Sequence, residues 1–395
     1  MSQSAVSTSC NLMNNYARWP IALVKGQANT VWDDTGKAYL DFTSGIAVTS
    51  LGHCPPQVTK ALQEQLETLW HCSNLFRIPV QEELAAKLAE VSGLDKVFFC
   101  NSGAEANEGA IKIARRYAQK IKGEERYEVI TFHQSFHGRT LATLTATGQD
   151  KVKDGFLPLP EGFISVPYND LEALKAVITE RTCGILMELV QGEGGVHAAD
   201  PAWVKAVREL CDEQGILFMV DEVQTGIGRT GTWFAFQQYG ITPDVVSVAK
   251  GLGSGFPIGA VLAVDKVAEA FSPGTHGTTF GGNPLATTAG VATLATIEQE
   301  NLLARVNQLN EYLVAQLQKL QQTSGDKVTH IRGRGLLIGV ELTQPAADII
   351  TYAREKGVLL HSAGPNVIRL LPSFVTTEQE IDTVINVLTE ALLQG

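Results

Sequence analysis

The sequence predicts an α/β protein with a large domain on a mostly parallel sheet and a smaller α+β domain. Three observations predict it. From about Lys96, short apolar runs alternate with helical patterns, as in a parallel sheet covered on both faces. After about residue 285 the texture changes to one long helical stretch followed by paired strand-like segments. The 395 residues are ample for two cores. The division expected is residues 1–50 as a segment joining the small domain, 51–285 as the large domain and 286–395 as the small one.

The large-domain strands expected are Lys96–Cys100, Glu128–Phe132, Cys183–Leu189, Ile216–Val220 and Asp244–Val248. Each is short, apolar and bounded by polar or turn residues. Between them, helical periodicity covers Glu105–Lys120, Asp170–Glu180 and Pro201–Gln214. A long helix, whole or broken, runs from Pro284 to about Gln322. Strands follow at Lys327–Arg332 and Leu336–Leu342, a helix at Ala346–Lys356, strands at Val358–His361 and Val367–Leu371, and a final helix from Glu378. The segment Ala28–Phe42 is strand-like, with a turn at Asp33-Asp34-Thr35-Gly36. It precedes the large sheet and is expected to join the C-terminal domain. There is no internal repeat or low-complexity linker.

Charge and composition exclude several classes. The net charge of -11 argues against a general nucleic-acid binder but leaves small anionic substrates open. No apolar run is long enough to span a bilayer. The N-terminus has no basic stretch followed by an apolar one, and no Arg before Arg18, so a cytoplasmic protein is expected. The six cysteines, Cys10, Cys54, Cys72, Cys100, Cys183 and Cys211, form no Cys-x-x-Cys and are expected to be reduced and mostly buried. The histidines show no metal-binding spacing, so no metal is expected.

Ligands collect at the carboxyl ends of such strands, and the motifs lie there. Lys250 ends an apolar run and opens into glycines, and Asp221 ends an earlier one. A lysine amine can form an imine with an aldehyde, and a carboxylate can keep a ring nitrogen protonated. At an effective dielectric near 20, a carboxylate and a cation ~4 Å apart attract by about 4 kcal/mol, roughly three pK units. The pair therefore suggests pyridoxal phosphate. The plainer readings are a snorkelling lysine and an aspartate that caps a helix or ligates a metal. Their coincidence with the other motifs favours the chemical one.

Asn101-Ser102-Gly103-Ala104-Glu105 opens a helix, with Ser102 and Glu105 at capping-box spacing. Its free first-turn amides suit a phosphate, though an ordinary capped helix reads the same. Ser135-Phe136-His137-Gly138-Arg139 offers Phe136 to a flat ring and Arg139 to a carboxylate, or is a plain loop. Glu188-Leu-Val-Gln-Gly-Glu193-Gly-Gly places two carboxylates on a glycine turn, which suits a site or a plain loop equally. Thr278-Thr279-Phe280-Gly281-Gly282 offers hydroxyls and amides to an anion. Arg369, amid apolar neighbours, is a candidate carboxylate receptor, or an edge-strand residue facing water.

Together these segments resemble the class III (subgroup II) pyridoxal-phosphate aminotransferases over nearly the whole chain. The run Asp221-Glu-Val-Gln-Thr-Gly-Ile-Gly-Arg-Thr-Gly231 with the later Lys250-Gly carries the resemblance most specifically. Thr145-Ala-Thr-Gly-Gln and Leu157-Pro-Leu-Pro-Glu-Gly-Phe are similar to the acetylornithine branch.

The resemblance implies the fold type I architecture and a homodimer with active sites shared at the interface. Lys250 would be the imine-forming lysine and proton shuttle. Asp221 would partner the ring nitrogen and Gln224 lie near the ring hydroxyl. Ser102, Gly103 and Ala104 would hold the phosphate, and Phe136 would stack on the ring. Thr279 would reach the neighbouring subunit's phosphate. Arg139 would receive a substrate carboxylate and Thr278 contact substrate. Glu193 would mask Arg369 for the amine donor and release it for the α-carboxylate of glutamate.

The implied reaction moves the terminal amine of N2-acetylornithine to 2-oxoglutarate. Succinylornithine, succinyldiaminopimelate, ornithine and 4-aminobutyrate are alternative donors. A catalytically silent ligand-sensing dimer is the non-enzyme alternative, against which the intact lysine argues. Two departures stand out: Thr278 where serine is common, and Leu189 after Glu188 where proline is common.

Overall fold

The structure is a computed structural model that describes residues 11–394. Cys10 and the serine-rich segment before it lie outside the described residues. A seven-stranded sheet forms the centre. Its spatial order is Lys96–Cys100, Gly259–Ala263, Val245–Val248, Leu217–Asp221, Thr182–Met187, Glu128–Phe132, Phe163–Val166. Six strands run one way, and Gly259–Ala263 is antiparallel to both of its neighbours.

The strands read as continuous apolar runs because both faces are covered. Side chains alternate faces along a strand. Leu217 and Met219 join a cluster with Ala106, Ala110 and Ile113 of the helix Gly103–Arg116. Phe218 and Val220 join the larger cluster with Trp203, Val204 and Val207 of the helix Pro201–Gln214. That second helix shows why its bounds were legible. Asp200 Oδ1 accepts the N–H groups of Ala202 and Trp203, both at 2.9 Å, Pro201 sits at the first turn, and Gly215 ends it at φ 62°.

The expected strands at Lys96, Glu128, Thr182, Leu217 and Val245 are all present, within a residue or two of their predicted bounds. Phe163–Val166 and Gly259–Ala263 were not anticipated, nor were the helices Pro56–Leu66 and Pro79–Ser92. The long helical stretch is broken: Pro284–Gln299 and Leu302–Thr323 are separated at Asn301, whose φ is 52°.

A four-stranded antiparallel sheet lies beyond it, in the order Val328–Arg334, Leu337–Leu342, Val367–Leu370, His361–Ser362. The predicted strand Val358–His361 is divided between sheets. Val358–Leu359 pairs in parallel with Ala38–Asp41, extending the N-terminal sheet of Leu23–Gln27, Thr30–Asp33 and Ala38–Asp41. The turn before Ala38 is held by Asp33, whose Oδ1 accepts the N–H groups of Thr35 and Lys37 at 3.0 and 2.9 Å.

Of the five free cysteines described, Cys100, Cys183 and Cys211 are buried, Cys72 is half-buried and Cys54 is exposed. Among the described residues no helix is long and apolar enough to cross a membrane. Among the described residues no cluster of His, Cys, Asp and Glu could hold a metal.

Candidate active site

The carboxyl ends of the strands line a cavity of ≈ 420 Å³. Its walls bring together Ser102, Gly103, Ala104, Phe136, Arg139, Glu193, Asp221, Gln224 and Lys250. These come from five separate stretches of chain, which meet because parallel strands deliver their following loops to one edge.

Lys250 follows the strand Val245–Val248 in a left-handed conformation, φ 46°. Such backbone is uncommon for a residue with a Cβ and marks a position held by its surroundings. Its side chain is half-buried, and among the described residues its amine has no hydrogen bond or ion pair. Burial holds the amine below the ordinary lysine value, opposed by Glu193 and reinforced by Arg369. A larger fraction is therefore neutral at a given pH, the form that attacks an aldehyde or accepts a proton.

Asp221 ends the strand Leu217–Asp221 and is buried. Its Oδ2 accepts from Asn107 Nδ2 at 2.7 Å and pairs with His137 Nδ1 at 2.8 Å. Its Oδ1 accepts the N–H of Val223 at 3.0 Å. Asn107 is fixed in turn by donating to His137 O at 2.8 Å and accepting from Ser247 Oγ at 2.5 Å. The carboxylate is thus fixed before any ligand arrives, and it lines the cavity. His137 Nε2 is buried without a partner.

Ser102 caps the helix Gly103–Arg116, its Oγ accepting the N–H of Glu105 at 3.2 Å. The capping box is displaced by one residue. Glu105 accepts from the N–H of Asn101 at 2.8 Å rather than from that of Ser102. The first-turn N–H groups of Gly103 and Ala104 have no partner within the helix. Gly103 is required by its neighbour, since a Cβ there would lie 2.7 Å from Val223 Cγ1.

The residues fit pyridoxal phosphate on these grounds. An unpartnered amine, a fixed carboxylate and a helix N-terminus with free donors face one volume, and Phe136 and Val223 supply apolar wall.

Arg369 lies on the inner strand Val367–Leu370 and is completely buried, so it is not an edge residue facing water. Its Nη1 donates to Glu193 Oε1 at 2.5 Å, Gly192 O at 2.8 Å and Gln224 Oε1 at 3.1 Å. Its Nη2 is 3.4 Å from His361 Nδ1 and its Nε has no partner. Glu193 is a quarter exposed, on a turn whose Gly192 abuts the Gln224 amide; a Cβ there would lie 2.3 Å from Gln224 Oε1. The glutamate is pushed up by burial and pulled down further by Arg369, so it is held ionised.

Glu188 also lines the cavity and accepts the N–H of Phe136 at 3.0 Å. Burial first, then Asp221, pushes its carboxyl well above the ordinary range.

Arg139 is exposed at the cavity wall, its guanidinium 5.6 Å from the Phe136 ring centre. Thr278 and Thr279 do not line this cavity. Thr278 Oγ1 accepts from Asn101 Nδ2 at 3.3 Å and from the N–H of Gly281 at 3.2 Å, and Thr279 is exposed. Sequence reasoning gave no role to Asn107, His137 or Val223, and placed Glu188 only as one of two carboxylates on a glycine turn. Asn107 had a signal: it is one helical turn beyond Gly103, on the helix whose first turn was the candidate phosphate site.

The family model for class-III aminotransferases matches residues 12–392. The chain is 51% identical over 391 residues to an acetylornithine aminotransferase of Oceanobacillus iheyensis, covering 99% of this chain and 98% of that one. It is 49% identical over 379 residues to an acetylornithine aminotransferase of Methanocaldococcus jannaschii, covering 96% and 95%. Among solved structures, an ornithine aminotransferase of Toxoplasma gondii with pyridoxal phosphate at partial occupancy superposes with a TM-score of 0.93 at 34% identity, covering 97% and 92%. An acetylornithine aminotransferase of Elizabethkingia anophelis gives 0.86 at 32% identity, covering 97% and 96%.

Proposed function

Given that this chain belongs to the class-III aminotransferases, we propose that it transfers the terminal amine of N2-acetylornithine to 2-oxoglutarate. The products are N-acetylglutamate 5-semialdehyde and glutamate. The enzyme uses pyridoxal 5'-phosphate. One observation carries the reading. A single cavity holds an unpartnered lysine amine, a fixed aspartate and a glutamate that covers a buried arginine.

Bound there, the cofactor supplies an aldehyde that captures the amine and a ring that takes up an electron pair. Ser102, Gly103 and Ala104 would hold its phosphate and Lys250 its aldehyde. Asp221 would hold its ring nitrogen, Gln224 its hydroxyl, and Phe136 with Val223 its ring. Lys250 Nζ removes the proton from the substrate carbon that bears the amine, which requires the neutral form that burial favours. Asp221 keeps a proton on the ring nitrogen, and its three hydrogen-bonding partners keep the carboxylate from turning away. Arg139 receives a substrate carboxylate. Glu193 covers Arg369 while the terminal-amine donor occupies the site. It withdraws when the α-carboxylate of glutamate or 2-oxoglutarate takes the guanidinium.

Two chains are needed to complete the site. Thr279 lies off its own cavity next to exposed Phe280, in a loop that Asn74 and His71 contact, and Trp70, Leu75 and Phe76 beside those two in the chain are exposed apolar side chains. A second copy covering that surface would bring Thr278 and Thr279 to its neighbour's site. Sedimentation should therefore show a dimer, and a monomer that retains full activity would sink the shared-site reading. The free thiols suit a reducing compartment, and we place the enzyme in the cytoplasm.

The purified protein with added cofactor should show a visible absorption band that Lys250→Ala removes. A wild-type protein with no band would defeat the enzyme reading. The likeness to ornithine aminotransferases makes ornithine the competing donor. A donor panel with 2-oxoglutarate should give acetylornithine the highest kcat/KM, and a higher value for ornithine would reverse the assignment.

A further inference from the structure

Arg229 is one of the largest completely buried side chains in the molecule, and among the described residues no carboxylate pairs with it. A buried cation without a counter-charge is costly. Here only neutral groups offset the cost. Nη1 donates to Pro372 O at 2.5 Å and Leu336 O at 3.2 Å, and Nη2 to Ser50 Oγ at 3.1 Å. The guanidinium lies 4.9 Å from the Phe374 ring centre, and Nε has no partner. The main chain repeats the ties: Leu336 N–H donates to Arg229 O at 2.9 Å, and Phe374 N–H to Ser50 O at 2.8 Å.

Every group that Arg229 holds belongs to a segment that carries the active site. Pro372 closely follows the strand bearing Arg369. Leu336 opens the strand Leu337–Leu342, in which Gly339 pairs with Arg369. Ser50 follows Val48, a cavity-lining residue. Ser50 Oγ also packs on the turn of Lys250, since a Cβ on Gly251 would lie 2.9 Å from it. Arg229 itself lies on the loop that begins at Asp221. A planar fork reaches three acceptors at once, and a lysine ammonium on a flexible stem does not.

We propose that Arg229 is a positioning residue that fixes the Arg369 strand relative to the Lys250 turn, and so sets how well the site accepts the α-carboxylate of 2-oxoglutarate. The proposal deepens the aminotransferase reading and rests on it.

The test uses the holoenzyme and two variants, Arg229→Lys and Ser50→Ala. The two half-reactions are measured separately, alongside thermal unfolding and the cofactor absorption band. The expected result is a rise in KM for 2-oxoglutarate of about tenfold for Arg229→Lys and about threefold for Ser50→Ala. The rate of the amine-donor half-reaction should change less than about twofold, with the band intact. Variants that lose thermal stability but slow both half-reactions in equal proportion would make Arg229 merely structural and overturn the proposal. If Arg229→Lys does not fold, Ser50→Ala decides alone: an unchanged ratio of the two KM values refutes it. A wild type without a cofactor band is the failure of the function reading, and is distinguished at the first step.

Discussion

Arg229 and Arg369 are both completely buried, yet they are held in opposite ways. Arg229 donates to two main-chain carbonyls, which cannot leave without moving the backbone, and to one buried hydroxyl. Arg369 donates to a carbonyl, an amide oxygen and the carboxylate of Glu193, which is partly exposed on a glycine turn. The first arrangement is permanent. The second holds a partly exposed carboxylate, which the proposed function has a substrate carboxylate replace, restoring the charge balance that the departing one provided. Asp221 belongs with Arg229: its partners are Asn107, Val223 and His137, all fixed by burial or backbone. On the proposed reading, the molecule separates a fixed chemical centre from an exchangeable specificity element.

The strongest attempt to break this division is Asp221→Asn. The fixed side serves both half-reactions, so each should slow by about a thousandfold, the equivalent of roughly 4 kcal/mol. Single-turnover rates with each substrate measure it, and a loss confined to one half-reaction would dissolve the distinction.

Arg369→Ala tests the other side. The kcat/KM for 2-oxoglutarate should fall about a hundredfold, near the roughly 3 kcal/mol typical of an unpaired buried charge. The amine-donor half-reaction should change less than about threefold. Equal losses in both would show that Arg369 is no gate.

The smallest effect concerns Glu188, whose carboxyl burial pushes upward. Its folded form keeps a proton that the unfolded chain releases at ordinary carboxylate pH. The stability this contributes is complete below that pH and is lost as pH rises toward the raised value. Glu188→Gln carries no such dependence. The apoprotein variant should therefore gain in Tm relative to wild type as pH rises above the ordinary carboxylate range of about 4. A difference in Tm that stays constant with pH would contradict the assignment.

Much of this was legible because local signals and tertiary contacts agree. Asp200, Pro201 and Gly215 bracket one helix, and Lys250 and Asp221 each end an apolar run. Gly259–Ala263 was hidden by its context, since only Ala260-Val-Leu-Ala263 is apolar and the glycines before it read as one loop. The helices starting at Pro56 and Pro79 carried a readable sign, a proline in the first turn. His137 and Asn107 were not legible as partners of Asp221. Their hydrogen bonds join residues 84 and 114 positions apart in the chain, and nothing in local pattern encodes such a meeting. The Glu193–Arg369 pair, 176 positions apart, was anticipated only through family resemblance.

The antiparallel strand Gly259–Ala263 gives the sheet an order in time as well as in space. Lys96–Cys100, the strand that leads into the proposed phosphate-binding turn, bonds within the sheet only to that later strand. During synthesis its partner is made about 160 residues afterwards, roughly ten to thirty seconds at ordinary elongation rates. Throughout that interval an apolar strand waits with its hydrogen-bonding edge unfilled, a state open to wrong pairing. The turn that follows it therefore cannot reach its final place in the sheet until that later strand has been made.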